Sequence, residues 1–517
     1  AKVVLVTNVF RDQLDRYGEV SHTLSAIQES VNNLPEATLV INGDCSLTNT
    51  LKRENTVTYG VSVPLDQTSA VRDGTRCIHC KHQLEYDYFT YAHLGKYRCP
   101  GCGYCRETPD YNVTDIVETT PDSSTVMLNG TTPVKINLGG VYNIYNGIGA
   151  LAALVSLGID RETALHALER FSGAFGRMEK FGNVRMILVK NPAGLTQTCN
   201  YISQFKGDKT VIFCLNDNAA DGRDISWIWD VDFEKLCELD LARVFVGGTR
   251  KNDLQVRLKY AGINAQLIDG IEDAVRGCFG ADPELPLHSV ANYTVFPSVT
   301  ADLKRLDGTE RPEGTRAAVA PKPRVNLRCY AGAGIELERP LRVVHLYPDA
   351  LNLYGDGGNI AWLRQRCEWR GIPVRVDAVR MGEELDLSDA DIVLLGGGAD
   401  RDQLAVCREL LAQKEKLSAY VESDGALLAI CGGYQLLGRF YMMGDQQVEG
   451  LAVIGAETRS GEGRLIHNVA IDSPIASTPI VGFENHGGRT YLDDNETPLG
   501  RPLVPGTGNN EFAVGEG

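Results

Sequence analysis

Long apolar runs are missing from this 517-residue chain. None reaches the length of a membrane-spanning helix, and the opening residues lack the charged-then-apolar layout of a secretory signal. Sustained basic stripes are missing too, and the net charge of −16 argues against nucleic acid as a main partner. Even lacing of cysteine, the mark of a secreted disulfide scaffold, is absent. Of 14 cysteines, five fall between Cys77 and Cys105 and the rest are scattered, which points to a reducing, cytoplasmic setting. There is no internal repeat and no low-complexity tract.

What is present reads as soluble α/β protein. The 43% hydrophobic and 23% charged content is ordinary, and the length suggests roughly three domains. Apolar β-rich runs alternate with amphipathic stretches, the pattern of parallel sheets flanked by helices. Strands are expected at Lys2–Thr7, Thr38–Ile41, Arg185–Val189, Thr210–Leu215, Arg243–Val246, Leu341–Leu346, Asp391–Leu395 and Ala426–Ile430. Helices are expected at Asn143–Leu157 and Arg161–Phe171. Residues 306–340, containing GTERPEGTRAAVAPKPR, show no periodicity and read as a linker, after which a new domain opens at 341. The first residues, AKVVLVTN, read as a buried strand already under way, so the chain is expected to begin inside a domain.

Two motifs carry chemistry. Cys77-Ile-His-Cys80 and Cys99-Pro-Gly-Cys102 are CxxC pairs separated by 18 residues, a spacing at which four thiolates complete a tetrahedral zinc site. A redox CxxC and chance are the alternatives, and two pairs at ribbon spacing disfavour both. His79, His82, His93 and Cys105 are spare. With no open position the site is structural, holding a ribbon inserted at about 72–108. The second motif, LLAI-Cys431-GGYQ, puts a cysteine between a buried strand and a helical run. Such an elbow exposes the sulfur, the helix N-terminus favours the thiolate, and Gly432 admits substrate to the backbone. Gly397 and Gly398, in LLGGGADRDQ, offer amides for an oxyanion together with the amide after Cys431. A buried inert cysteine is the commoner fate of a lone Cys; the paired glycine loop 33 residues upstream argues against it.

CGGYQ, YPDALNLYGDGGNIAWLRQR, GFENHGGRTYL and GTGNN resemble class I glutamine amidotransferases of the cobyric-acid-synthase-like subgroup, and closely the GatD type of lipid II isoglutaminyl synthases. The resemblance implies a flavodoxin-like domain over 341–517, with Arg464 holding the glutamine substrate. It also places a general-base histidine in a YLHGP-type segment shortly after GTGNN, which these residues do not include. His486 reads as a structural or pocket residue instead. Earlier segments resemble Mur ligases in the family's order: TNVFRDQLDRYGEV, INGDC, GGVYNIYNGIGA, FGRME, KNPAG and ANYTVFPS. With the inserted Cys₄ ribbon they resemble the MurT partner of GatD. This implies a central ATPase domain over 1–175 and a C-terminal domain over 176–305. Asn143 and Asn146 would lie near the adenine and Arg177 near the phosphates, with ATP and Mg²⁺ as cofactors beside Zn²⁺. Asp224 is implied as the acid completing a Cys–His–Asp triad with Cys431.

No GxxxxGK[ST] phosphate loop occurs, and the resemblance expects it ahead of AKVVLVTN. The chain is thus expected to be truncated at both ends and to join two parts that are usually separate subunits. The implied activity is ATP-consuming, glutamine-dependent amidation. The acceptor would be the α-carboxyl of D-glutamate in lipid II, at the cytoplasmic face of the membrane, with the two parts docking on each other. Cobyrinate-type amidation is the rival within enzymes; a non-catalytic scaffold is the rival outside them.

Overall fold

A computed structural model describes residues 1–12, 19–65, 73–173, 177–181, 184–270, 287–292, 294–306, 337–353 and 355–510. It divides into two compact units, Ala1–Val325 and Asn326–Gly517. Most of the 306–340 join lies outside the described residues. Among the described residues no helix is long and apolar enough to cross a membrane.

In chain order the first strands are β1 (Val3–Val6), β2 (Thr38–Asn42), β3 (Thr56–Val61), β4 (Glu85–Tyr91), β5 (Leu94–Arg98), β6 (Tyr111–Thr119), β7 (Ser124–Leu128) and β8 (Thr132–Ile136). Six of them form a sheet in the order β1-β2-β3-β6-β7-β8, while β4 and β5 make a separate hairpin. β1, β2, β3 and β6 run parallel. Leu39, Val40 and Ile41 are fully buried, as a parallel strand covered on both faces requires, each contributing about 1.5–3 kcal/mol. The antiparallel strand β7 instead alternates, burying Ser124, Val126 and Leu128. Helix Val141–Ser156 packs Ile144, Ile148 and Leu151 into the same core, and Gly149 is small where a Cβ would approach Tyr59 Cζ to 2.9 Å.

A second sheet follows, with β9 (Arg177–Phe181), β10 (Val184–Leu188), β11 (Lys209–Cys214), β12 (Leu241–Gly247), β13 (Gln266–Leu267) and β14 (Leu287–Ala291). Its order is β13-β12-β11-β14-β10-β9, parallel except for the β9–β10 hairpin. Helix Pro192–Ile202 starts where KNPAG directs: Asn191 Oδ1 accepts from the Gly194 amide at 2.8 Å, and Pro192 takes the first helical position. The two sheets of this unit are tied by Lys190 to Asp12 at 2.6 Å and by Arg11 to Asp230 at 3.2 Å.

The second unit is built on β15 (Leu341–Leu346), β16 (Val374–Val379), β17 (Ile392–Leu395) and β18 (Ala426–Ala429), all parallel, in the order β16-β15-β17-β18. Behind it come β19 (Phe440–Met443), β20 (Gln446–Glu449), β21 (Ala456–Asp472) and β22 (Ile480–Leu492), the last two a long antiparallel pair. Because β15, β17 and β18 are neighbours, the segments leaving their carboxyl ends converge: residues 347–353, 396–398 and Cys431. That edge is where open parallel sheets bind ligands. The expected strands all appear, within two residues at either end, and the two expected helices run Val141–Ser156 and Arg161–Arg170.

Candidate active site and metal centre

Cys431 lies between β18 and helix Gly432–Leu437 with φ 53° and ψ −113°. A residue with a Cβ adopts this conformation only under strain, of order 1–3 kcal/mol, which the surroundings must over-determine. They do. The Gly433 amide donates to Ile430 O at 2.9 Å, and a Cβ on Gly433 would lie 2.5 Å from Leu395 O and 2.7 Å from Gly396 O. Buried Gln403 donates to Gln435 Oε1 at 3.1 Å and Gly432 O at 3.4 Å. The sulfur-bearing residue is exposed at the end of this rigid turn. A Cβ on Gly432 would lie 2.6 Å from Gln403 Oε1, so the glycine leaves room for the buried Gln403 amide.

The glycine loop after β17 lies against the nucleophile: a Cβ on Gly397 would sit 2.9 Å from Cys431 Cβ. Its peptide is committed on both sides. Gly397 N–H donates to Asp356 Oδ1 at 3.1 Å, and Gly397 O accepts from Leu353 N at 3.1 Å. The oxyanion donors left from the expected set are therefore the amides of Gly398 and Gly432. Gly398 is held by Leu351, whose Cδ2 would be 2.6 Å from an added Cβ. Asp356, 2% exposed, was invisible in sequence because its role depends on a loop 41 residues away folding beside it.

Arg464 is exposed on a bulge of β21, where the register with β22 shifts between Ser460 and Leu465. Its fork closes on Asn485, with Nε and Nη2 donating to Oδ1 at 3.1 and 2.9 Å. Asp400 also feels its charge: burial raises that carboxyl, and Arg464 opposes the rise. His486 faces Gly488 O through Nδ1 at 2.7 Å and Glu484 Oε2 through Nε2 at 3.4 Å, so both ring nitrogens are engaged within its own strand.

The four ribbon cysteines converge. All sulfurs of Cys77, Cys80, Cys99 and Cys102 lie within 4.8 Å of one another, with Cys77–Cys102 at 3.5 Å and Cys80–Cys99 at 3.2 Å. Desolvation alone would raise the Cys99 thiol. The Cys80 thiol and the amides of Cys102 and Gly101 outweigh it and bring Cys99 down to about 6. Four soft donors at this separation fit one zinc ion. Of the spare residues, His79 packs edge-on against Tyr104, His93 is buried, and His82 lies against Gly101.

In the ligase-like unit, Asn143 and Asn146 sit in the first turns of helix Val141–Ser156. Asn143 Nδ2 donates to Gly139 O at 2.7 Å, and Asn146 Nδ2 to Asn143 Oδ1 at 3.3 Å. Arg177 opens β9, but its side chain lies outside the described residues. Asp224 is half-buried; its Oδ1 accepts from Ser226 N at 2.8 Å, and it forms no ion pair among the described residues. Nearby Asp221 is instead consumed by Thr294, whose amide and hydroxyl both donate to it. Sequence reading missed a buried pair, Cys45 Sγ to His93 Nε2 at 3.3 Å. Burial pushes the Cys45 thiol up, but His93 and two backbone amides pull it down to about 7.

The family model of the MurT ligase C-terminal domain matches residues 188–296, and that of the CobB/CobQ-like glutamine amidotransferase domain matches 342–517. The chain is 36% identical over 272 residues to the MurT subunit of lipid II isoglutaminyl synthase (glutamine-hydrolyzing) from Streptococcus pneumoniae, covering 51% of this chain and 61% of that protein. It is 42% identical over 179 residues to the GatD subunit of the same organism, covering 34% of this chain and 68% of GatD. Cobyric acid synthase of Brucella abortus is more distant, 33% identical over 139 residues and covering 25% of this chain and 28% of its own length. With a GatD-type amidotransferase unit following a MurT-type ligase unit in one polypeptide, the chain belongs to the lipid II isoglutaminyl synthase family.

Proposed function

We propose that this protein amidates a carboxylate with ammonia released from glutamine, and that the acceptor is the α-carboxyl of D-glutamate in the lipid II stem peptide, yielding D-isoglutamine. The observation that carries the reading is the strained, exposed Cys431 elbow joined in one polypeptide to a ligase unit of the Mur type. Cys431 attacks the glutamine amide carbon; the amides of Gly398 and Gly432 take up the developing oxyanion; Arg464 holds the substrate. Asp224 is the acid that orients the imidazole base. Its Oδ2 is unengaged by any described residue, which supports that role over Asp221.

In the ligase unit Asn143 and Asn146 would border the adenine and Arg177 the phosphates of ATP. Gly139 packs against Pro121 O, 2.3 Å from where a Cβ would sit, and Gly140 takes φ 89° to open the helix that carries both asparagines. MgATP supplies the phosphoryl group that activates the acceptor carboxylate. The reaction belongs at the cytoplasmic membrane face, where lipid II is assembled. The test is label transfer. The gene product at its natural length, given [amide-¹⁵N]glutamine, MgATP and unamidated lipid II, should place ¹⁵N in the α-carboxamide. Label recovered only as free ammonia would overturn the acceptor assignment.

A further inference from the structure

The Cys₄ ribbon is stitched to the loops that leave β1 and β2 at three separate places. At its entry, Asp73 accepts from Arg11 Nε at 2.8 Å and from the Arg11 amide at 2.9 Å. At the tip of the β4–β5 hairpin, His93 meets Cys45 at 3.3 Å, both fully buried. At its exit, Arg106 Nε donates to Asp44 Oδ1 at 2.8 Å, with side chains 4% and 0% exposed. Backbone and neutral contacts fill the spaces between: Gly95 N to Asp44 O at 3.1 Å and the Tyr104 hydroxyl to Ser46 O at 2.7 Å. The loop after β2 thus takes most of its partners from an insertion rather than from its own sheet.

These stitches are costly to build and sensitive to loss. Removing one member of a buried charged pair leaves the other stranded, so the pairs act only while the ribbon holds its shape. The ribbon has a small core of its own, Cys77, Leu84, Tyr97 and Cys99, two of which are the proposed metal ligands. Its shape therefore depends on what holds the sulfurs together. The loops it grips lie at the carboxyl ends of parallel strands, and Arg11 reaches onward to Asp230, at the end of the short helical turn Ser226–Asp230.

We propose that the ribbon is a metal-dependent brace of the ligase unit: Asp73, His93 and Arg106 are positioning residues that fix residues 7–11 and 42–49. That these loops border the nucleotide rests on the ligase reading; the bracing does not. The test is hydrogen exchange of the full chain, zinc-loaded and after EDTA under reducing conditions, with zinc counted by elemental analysis. Exchange in 7–11 and 42–49 should rise about tenfold or more on zinc removal, while β11, β12 and the 426–437 segment keep their protection. Unchanged loops, or a uniform rise through β11 and β12, would overturn the brace. A Cys45→Ala/Arg106→Gln chain should retain one zinc yet loosen the same loops; loops as protected as in the parent would also overturn it. MgATP should further protect 42–49 in the zinc-loaded gene product at its natural length. Failure of that arm alone counts against the ligase reading and leaves the brace standing.

Discussion

Replacing His345 with leucine should remove an acid sensitivity from the amidotransferase unit. His345 lies on β15, between Ala378 of β16 and Leu394 of β17, and is 6% exposed. Its Nε2 is buried without a hydrogen-bond partner among the described residues, and burial alone pushes its pKa from 6.5 down to about 4. A histidine whose folded pKa is depressed binds its proton more readily in the unfolded chain. Stability is therefore intact above about pH 6.5 and falls as pH drops towards 4. The loss is about 2 kcal/mol at pH 5 and approaches about 3 kcal/mol below pH 4. Leucine has similar bulk and no proton to bind, and the unpartnered nitrogen means that no hydrogen bond is lost with the ring. Urea denaturation of the intact chain at pH 7 and pH 5, read through exchange of the β15 amides, gives the comparison. Parent and His345→Leu should differ in their pH dependence by about 2 kcal/mol, whatever the leucine does at pH 7. Equal dependence in both would refute the desolvation argument.

Gly433→Ala should disturb the elbow, because its Cβ meets two backbone carbonyls that cannot yield. A destabilisation of about 1–3 kcal/mol and a large fall in Cys431 alkylation are expected, against about 1 kcal/mol or so for Gly444→Ala, which has positive φ but open space. Arg464→Gln, at an exposed position, should raise the glutamine concentration needed for protection of Cys431 while changing thermal stability by no more than about 0.5 kcal/mol. In the gene product at its natural length, Asp224→Asn should lower glutamine hydrolysis by on the order of ten-thousandfold without a change in melting, as losing a triad acid does. Normal hydrolysis in that variant would exclude the shared triad.

Much of this was legible because the signals are local. β2 and β18 announce themselves by unbroken apolar runs, KNPAG spells a helix start, and CxxC spacing survives without knowledge of the fold. The elbow followed from a cysteine bracketed by a strand and two glycines. The missing parts are non-local. Asp356 reaches Gly397 only because β15 and β17 pair. The tie of Cys45 to His93 spans an insertion whose path no periodicity records. Nor could sequence show that the Gly397 amide, an expected oxyanion donor, is engaged by a residue 41 positions away. Asp224 stood out in sequence through the family resemblance alone, and the Thr294 contacts of its buried neighbour Asp221 could not be read there.

The central claim is that Cys431 is a nucleophile directed at glutamine, and covalent labelling of the intact chain tests it most directly. Incubation with an electrophilic glutamine analogue, followed by peptide mass spectrometry, should give a single adduct on Cys431. Glutamine should protect against it, and Cys431→Ser should abolish it. Adducts spread over other cysteines, such as the exposed Cys102 and Cys105, or labelling of Cys431 that glutamine does not slow, would contradict it.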